Sequence, residues 1–370
     1  MSPPKDQDRA AHRAQRALVI GAALERDGDI RVVAMAPDTA SARMLIKQHD
    51  PDVLTLDVEM PGMDGLSFLR KVMELRPMPV VMVSSLTERG TDTALAALEL
   101  GAVDAVPKPG GALTLDAFGA ALRERIRSAS RARIRGPSAQ HSQVAAKPAA
   151  GPKGPSSRRT APALIAIGAS TGGVSALGTV LAGLPPSLPP IVIVQHMPEA
   201  YTARFARRLD STLAWDVAEA TEGEAVAPGM IRIAPGDRHL SVSPSGGRLL
   251  LSLGNGPPVS GHRPSVDWLM QSVAGAALPA VGVLLTGMGR DGARGLAAMR
   301  AAGCPTLAQD EATSTVYGMP RVAAEIGAAE EILPLGAIAS RLFTLCQPAS
   351  GKDAPRNPQP ESPRCPPQRA

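Results

Sequence analysis

Aromatic side chains are almost missing from this chain of 370 residues: two Trp, two Tyr and four Phe make up 2% of it. Hydrophobic cores must therefore be built from Ala, Val, Leu, Ile and Met, and an apolar content of 44% supplies them. Cysteine is scarce too. Cys304, Cys346 and Cys365 are odd in number and scattered, without C-x-x-C spacing, which excludes a disulfide framework and points to a reduced, cytoplasmic setting. A continuous membrane span is also lacking. The longest uncharged stretch, Gln271 to Gly289, is interrupted by Gly275, Pro279 and Gly282 and reads as a helix end, a turn and a buried strand, so direct membrane insertion is not expected. The apolar stretch Ala17–Leu24 follows Arg13 and Arg16, yet it runs straight into Glu25-Arg26-Asp27 with no small-residue cleavage site, unlike a secretory signal.

Charge is present but unevenly placed. The net charge is +5, whereas residues 121–160 alone hold ten basic side chains and one acid, so the remainder is slightly acidic. No aromatic residue interleaves with those charges, which leaves no stacking platform for nucleic acid and favours a solvated linker. The length fits two domains. Composition places a doubly wound α/β domain at 1–125, a basic Pro/Gly/Ser-rich linker at 126–162, a second α/β domain at 163–347 and a disordered tail at 348–370. In the first domain, Val53–Leu56 and Pro79–Val83 read as buried parallel strands, and Ser67–Leu75 as a helix. In the second, Leu164–Ile167, Ile191–Val194 and Val281–Leu285 are short β-branched strands, and His239–Ser252 is a hairpin centred on Ser245-Gly246-Gly247.

Three polar residues follow three of these strands, at the rim where α/β sheets carry their sites. Ser170 lies in Ile167-Gly168-Ala169-Ser170-Thr171-Gly172-Gly173, a strand running through small residues into a helix pattern. There its hydroxyl stands above the sheet beside a helix N-terminus able to receive an oxyanion. A phosphate-binding loop is the competing reading. His196 ends the strand Ile191–Gln195 and suits a general base, although a histidine at a strand end is more often structural. Asp291 lies in Thr286-Gly287-Met288-Gly289-Arg290-Asp291-Gly292 and could orient an imidazole, or simply cap the next helix.

The stretches IGASTGG, VIVQHMP and LLTGMGRDGA together resemble the protein-glutamate methylesterases of the CheB type, as do IAPGDRHL, HRPSVDWLM and QDEATSTVYGMPRVA. The resemblance spans residues 163–345 and most of the first domain. It implies a flavodoxin-like receiver domain followed by a Rossmann-like α/β methylesterase domain. It further implies Ser170 as nucleophile, His196 as general acid and base, and Asp291 as the orienting acid. The backbone amides of Thr171 and Met288 become oxyanion candidates, and His262 and Arg263 stand near the site. The implied reaction is hydrolysis of glutamyl γ-methyl esters on methyl-accepting chemoreceptors, with deamidation of receptor glutamines beside it, and the esterase needs no cofactor. A non-catalytic receptor-binding adaptor of the same fold is the alternative, and a small-molecule serine hydrolase is a third.

For the first domain the resemblance implies phosphorylation of Asp57 by a histidine kinase, with Mg2+ as cofactor and Ser84 and Lys108 in support. It also marks a departure. Receivers of this kind open with an apolar strand ending in paired acids, roughly 45 residues before Asp57, where this chain has Ala11 and His12. The nearest apolar stretch, Ala17–Ile20, reads as an alternative strand but ends in Gly21-Ala22. Without the acid pair, Mg2+ affinity should fall and phosphorylation of Asp57 should be weak.

Overall fold

The computed structural model describes residues 19–58, 64–85, 87–108, 114–134 and 161–347, with only the backbone of Glu88; most of the basic linker and the expected tail lie outside the described residues. The amino-terminal part opens with a helical stretch at residues 19–25. Then come α1 (Thr39–His49), β1 (Leu54–Asp57), α2 (Gly65–Leu75), β2 (Val80–Ser84), α3 (Glu88–Glu99), β3 (Asp104–Pro107) and α4 (Leu115–Ala129). The three strands form a parallel sheet in the order β1-β2-β3. Strand β2, Val-Val-Met-Val-Ser, is buried throughout, as expected for a parallel strand covered on both faces. Helices α1, α2, α3 and α4 open on Asp38, Asp64, Thr87 and Thr114, whose side chains each accept a backbone N–H of the first turn.

One expectation for this part is corrected. Val19 and Ile20 belong to a helix, not to the alternative strand. The stretch is apolar on all sides, so period alone does not separate helix from strand, and packing decides. Gly119 of α4 lets Ala23 come close, and the Arg123 guanidinium donates to the Ala23 carbonyl. Residues 29–36 pair with no strand among the described residues. In the flavodoxin-like order 2-1-3-4-5, the second strand pairs with the first alone. The stretch that would supply a first strand lies outside the described residues. Val33 and Met35 are exposed.

The carboxy-terminal part runs β4 (Leu164–Ala169), α5 (Gly173–Ala182), β5 (Ile191–Gln195), α6 (Glu199–Thr212), β6 (Asp216–Glu219), β7 (Ala225–Val226), β8 (Met230–Ile233), β9 (His239–Ser245) and β10 (Arg248–Gly254). It continues through α7 (Val266–Gly275), β11 (Ala280–Leu284), α8 (Ala293–Ala301), β12 (Thr306–Gln309), α9 (Met319–Glu325), β13 (Glu331–Leu333) and α10 (Leu335–Cys346). Seven strands form one sheet in the order β13-β12-β11-β4-β5-β8-β6, every pair parallel. The expected hairpin is present as β9 and β10, joined in an antiparallel side sheet with β7. Strands β4, β5, β11 and β12 are buried along their whole length. From β4 the chain winds outward to β5, β8 and β6, then returns to β11 on the other side of β4. The strand order therefore reverses at β4, and the crevice at its carboxyl end is where such sheets bind ligands.

Candidate active site

Ser170, His196 and Asp291 follow β4, β5 and β11, three adjacent strands whose carboxyl ends share one rim. Each is nearly inaccessible, at 3%, 8% and 1% exposure. The turn after β4 is held from all sides. The Ser170 N–H donates to the Thr286 carbonyl at 3.0 Å, and the Thr286 hydroxyl donates to the Thr171 carbonyl at 3.0 Å. Gly172 sits at φ +77°, and a Cβ there would stand 2.5 Å from Thr315, so the turn needs glycine on both counts.

His196 Nε2 meets the Asp291 carboxylate at 2.8 Å, while its buried Nδ1 has no partner among the described residues. In the usual Ser-His-Asp arrangement the acid holds Nδ1 and the serine faces Nε2; here the ring is turned the other way round, with Nε2 toward the acid. A neutral ring donating Nε2–H to Asp291 presents the Nδ1 lone pair as a base. Ser170 and His196 line one cavity of about 20 Å³, and the Ser170 hydroxyl has no hydrogen-bond partner among the described residues. Catalytic hydrogen bonds of this kind are commonly loose without substrate.

Asp291 does not cap the following helix, whose N-cap is Gly292. Its carboxylate instead accepts from the start of α7, 25 residues upstream: Ser265 Oγ at 2.7 Å, Val266 N at 2.7 Å and Asp267 N at 3.1 Å. Burial pushes the Asp291 carboxyl up, but the hydrogen bond and charge of His196, the Ser265 hydroxyl and the Val266 amide outweigh it and hold it below the usual range. His262 stacks on His196 with ring centroids 3.8 Å apart and planes 10° from parallel. Burial, then the neighbouring His196, then Arg125 push His262 down to about 4 against the pull of Asp291, so this ring is neutral near pH 7. Arg263 turns elsewhere and pairs with Asp237. The amides of Thr171 and Met288 have no hydrogen-bond partner among the described residues, which leaves both available to an oxyanion.

Sequence reasoning did not single out Gln195, Ser265 or Thr286. Ser265 carried a usable signal, a serine directly ahead of a helical pattern, but its pairing with Asp291 is tertiary.

The amino-terminal part covers this rim. Asp104 of β3 accepts from Thr171 Oγ1 at 3.1 Å and from Arg125 at 3.2 Å, one residue away from Ser170. Arg204 of α6 holds Asp92 with two bonds of 3.0 Å, and Arg208 pairs with Glu99. Beyond α4, the Arg133 N–H donates to the Thr315 carbonyl at 2.9 Å and its guanidinium meets Glu311 at 2.7 Å. Much of the basic run near residue 125 is thus ion-paired: Arg123 and Arg127 also hold Asp27, and Arg127 holds Asp29. Within the covering part, Lys108 Nζ lies 2.7 Å from Asp57, and the Ser84 hydroxyl donates to the Gly90 carbonyl at 2.7 Å.

Residues 165–342 match the model of the CheB methylesterase family, and residues 12–117 that of the response regulator receiver domain. The chain is 54% identical over 320 residues to protein-glutamate methylesterase/protein-glutamine glutaminase 2 of Bordetella avium, covering 85% of this chain and 90% of that one. The chain belongs to the CheB methylesterase family. The enzyme of the same name from Pseudomonas aeruginosa is 50% identical over 323 residues, covering 86% of this chain and 90% of that one. Among solved structures, the Thermotoga maritima CheB methylesterase catalytic domain matches at 38% identity with a TM-score of 0.49, covering 50% of this chain and all of that one. The receiver domain implies Mg2+ beside its phosphorylated aspartate in this family. Among the described residues, no three His, Cys, Asp or Glu side chains come together to hold a metal, so the acids described do not form a carboxylate cage around Asp57. No helix among the described residues is long and apolar enough to cross a membrane.

Proposed function

We propose that this CheB-family chain hydrolyses the γ-methyl esters of glutamyl side chains on methyl-accepting chemoreceptors and deamidates receptor glutamines, under control of its receiver domain. The observation that carries the reading is the buried His196–Asp291 pair, whose Nδ1 has no partner among the described residues, at the rim that holds Ser170. Ser170 attacks the ester carbonyl while His196 Nδ1 takes its proton. The Thr171 and Met288 amides receive the oxyanion. On collapse, His196 returns the proton to the leaving methoxide, and methanol departs from an acyl-Ser170 enzyme. Water, deprotonated by the same nitrogen, then releases glutamate. Asp291 holds the ring and stabilises its charged form throughout. With glutamine the leaving group is ammonia.

The receiver domain is the natural controller because Asp104 lies against Thr171, and the 20 Å³ left beside Ser170 is room for about one water. A histidine kinase is the phosphodonor in this reading and Asp57 the acceptor, with Ser84 and Lys108 beside it. The test is methanol release from methylated receptor membranes by the full chain and its Ser170→Ala variant, with and without a small phosphodonor. Loss of release in the variant supports the esterase. Undiminished release would move the reaction away from Ser170, and an inactive parent chain would favour the adaptor reading.

A further inference from the structure

Gln195 is the last residue of β5, next to the proposed base, and is 3% exposed. Its side chain spans the gap between the two strands that carry the nucleophile and the base. Nε2 donates to the Ser170 carbonyl at 2.9 Å and to the His196 carbonyl at 3.1 Å. The β4–β5 ladder has its last register pair at Ala169 and Gln195, and one more bond runs from His196 N to the Ala169 carbonyl. The carboxamide therefore ties the strands together just past the point where the backbone stops doing so. Two facing carbonyls fix the orientation of the amide, since only the amino end can donate. Its other end, Oε1, is buried without a partner among the described residues. Gly173 makes room for that oxygen, because a Cβ there would overlap it.

A peptide unit is planar and trans, so its C=O and N–H point in opposite directions. The Ser170 carbonyl receives both Gln195 Nε2 and the Gly173 N–H, the latter at 2.7 Å. With that carbonyl drawn inward, the N–H of the same peptide unit, Thr171 N–H, is turned to the opposite side. On the far side of the unit, Thr286 holds the Thr171 carbonyl. We infer that Gln195 is a positioning residue that aims the Thr171 amide at the oxyanion and fixes Ser170 relative to His196. This inference rests on the assignment of Ser170 and the Thr171 amide in the proposed function. Gln195 does not touch substrate in it and acts through two backbone carbonyls.

The contact is made before substrate arrives, but its benefit is felt where charge develops on the oxyanion, so its loss lowers kcat more than it changes KM. Gln195→Glu places a carboxylate oxygen against two carbonyl oxygens. Gln195→Met removes the donor at similar volume and serves as the second variant if the first fails to fold. Both are made in the full chain and assayed for methanol release from methylated receptor membranes. Rates are normalised to active sites titrated with a fluorophosphonate. The expected result for a folded variant is a kcat per titrated site lower by about 100-fold, the scale of a group displaced by about 1 Å and the lower end for a missing oxyanion donor, with KM within about twofold. A fall in titratable sites with kcat per site unchanged would overturn the inference, because that is how a purely structural residue behaves. Ser170→Ala is run beside them. If it keeps its activity, the underlying assignment fails; if it is inactive while both Gln195 variants match the parent, the assignment stands and the inference about Gln195 fails.

Discussion

Replacing Asp291 by asparagine separates the charge of the acid from its shape. The carboxylate accepts four hydrogen bonds: His196 Nε2 and Val266 N on one oxygen, Ser265 Oγ and Asp267 N on the other. Asparagine has two ways to sit. With its amino group toward Ser265, the hydroxyl can turn to accept it, but the Asp267 amide is left facing a donor. His196 keeps its tautomer and loses the negative charge that stabilises the imidazolium. Two unit charges about 4 Å apart in a medium of effective dielectric about 20 are worth ~4 kcal/mol, a factor of about 10³ in rate. With the amino group toward His196, the ring must carry its proton on Nδ1, and Ser170 loses its base. A wrong tautomer in a comparable triad costs about 10⁴ in kcat. Both placements predict a loss of about 10³ or more in kcat. Single-turnover methanol release measures it, and ¹⁵N chemical shifts of the His196 ring report which nitrogen is protonated. A loss smaller than about tenfold would refute the reasoning, since neither charge nor tautomer would then matter.

His262, held near 4 in the folded chain against about 6.5 when unfolded, binds its proton more readily unfolded, so its contribution to stability is complete above about pH 6.5 and is lost as pH falls toward 4. At pH 5 the loss is about 2 kcal/mol, and urea unfolding of the His262→Phe variant should be flatter between pH 7 and 5 than that of the parent; equal slopes would contradict this. Reversing Arg204 and Arg208 to Glu sets like charges against Asp92 and Glu99 and should raise methanol release by the unphosphorylated full chain by about tenfold, from ~1–2 kcal/mol of lost ion pairing. Adding Asp92→Arg and Glu99→Arg should bring the rate back down, and no recovery would remove charge pairing from the account. Incubation with a small phosphodonor and Mg2+ should yield substoichiometric aspartyl phosphate at Asp57, and stoichiometric labelling would show that the missing acid pair is replaced elsewhere.

What was legible in the sequence is what depends on short range. Runs such as Ile191–Val194 announce buried parallel strands, and a polar residue at the end of each marks the functional rim. Ser170, His196 and Asp291 were singled out on that basis together with the family resemblance, and the structure places them at the ends of three adjacent strands. The local reading of Asp291 as a helix cap was not met, because its partners are the amides that open α7, and nothing in neighbouring residues encodes that pairing. The reversed imidazole was equally hidden, since sequence does not say from which side an acid approaches a ring. Val19 and Ile20 mislead for a different reason: an apolar run too short for its period to be decisive takes its conformation from the helix it packs on.

The contact between Asp104 and Thr171 has a consequence for how the enzyme senses its surroundings. Asp104 presents a side-chain carboxylate, the same group that hydrolysis of a glutamyl ester produces, one residue from Ser170. It is delivered by the same chain, so its local concentration is set by tethering and does not fall on dilution. A receptor glutamyl ester must reach Ser170 past a strand end that the same chain holds against the neighbouring Thr171. The proportion of enzyme available to receptors is then fixed by the equilibrium within each molecule, and a cell could change the amount of enzyme it makes without changing that proportion.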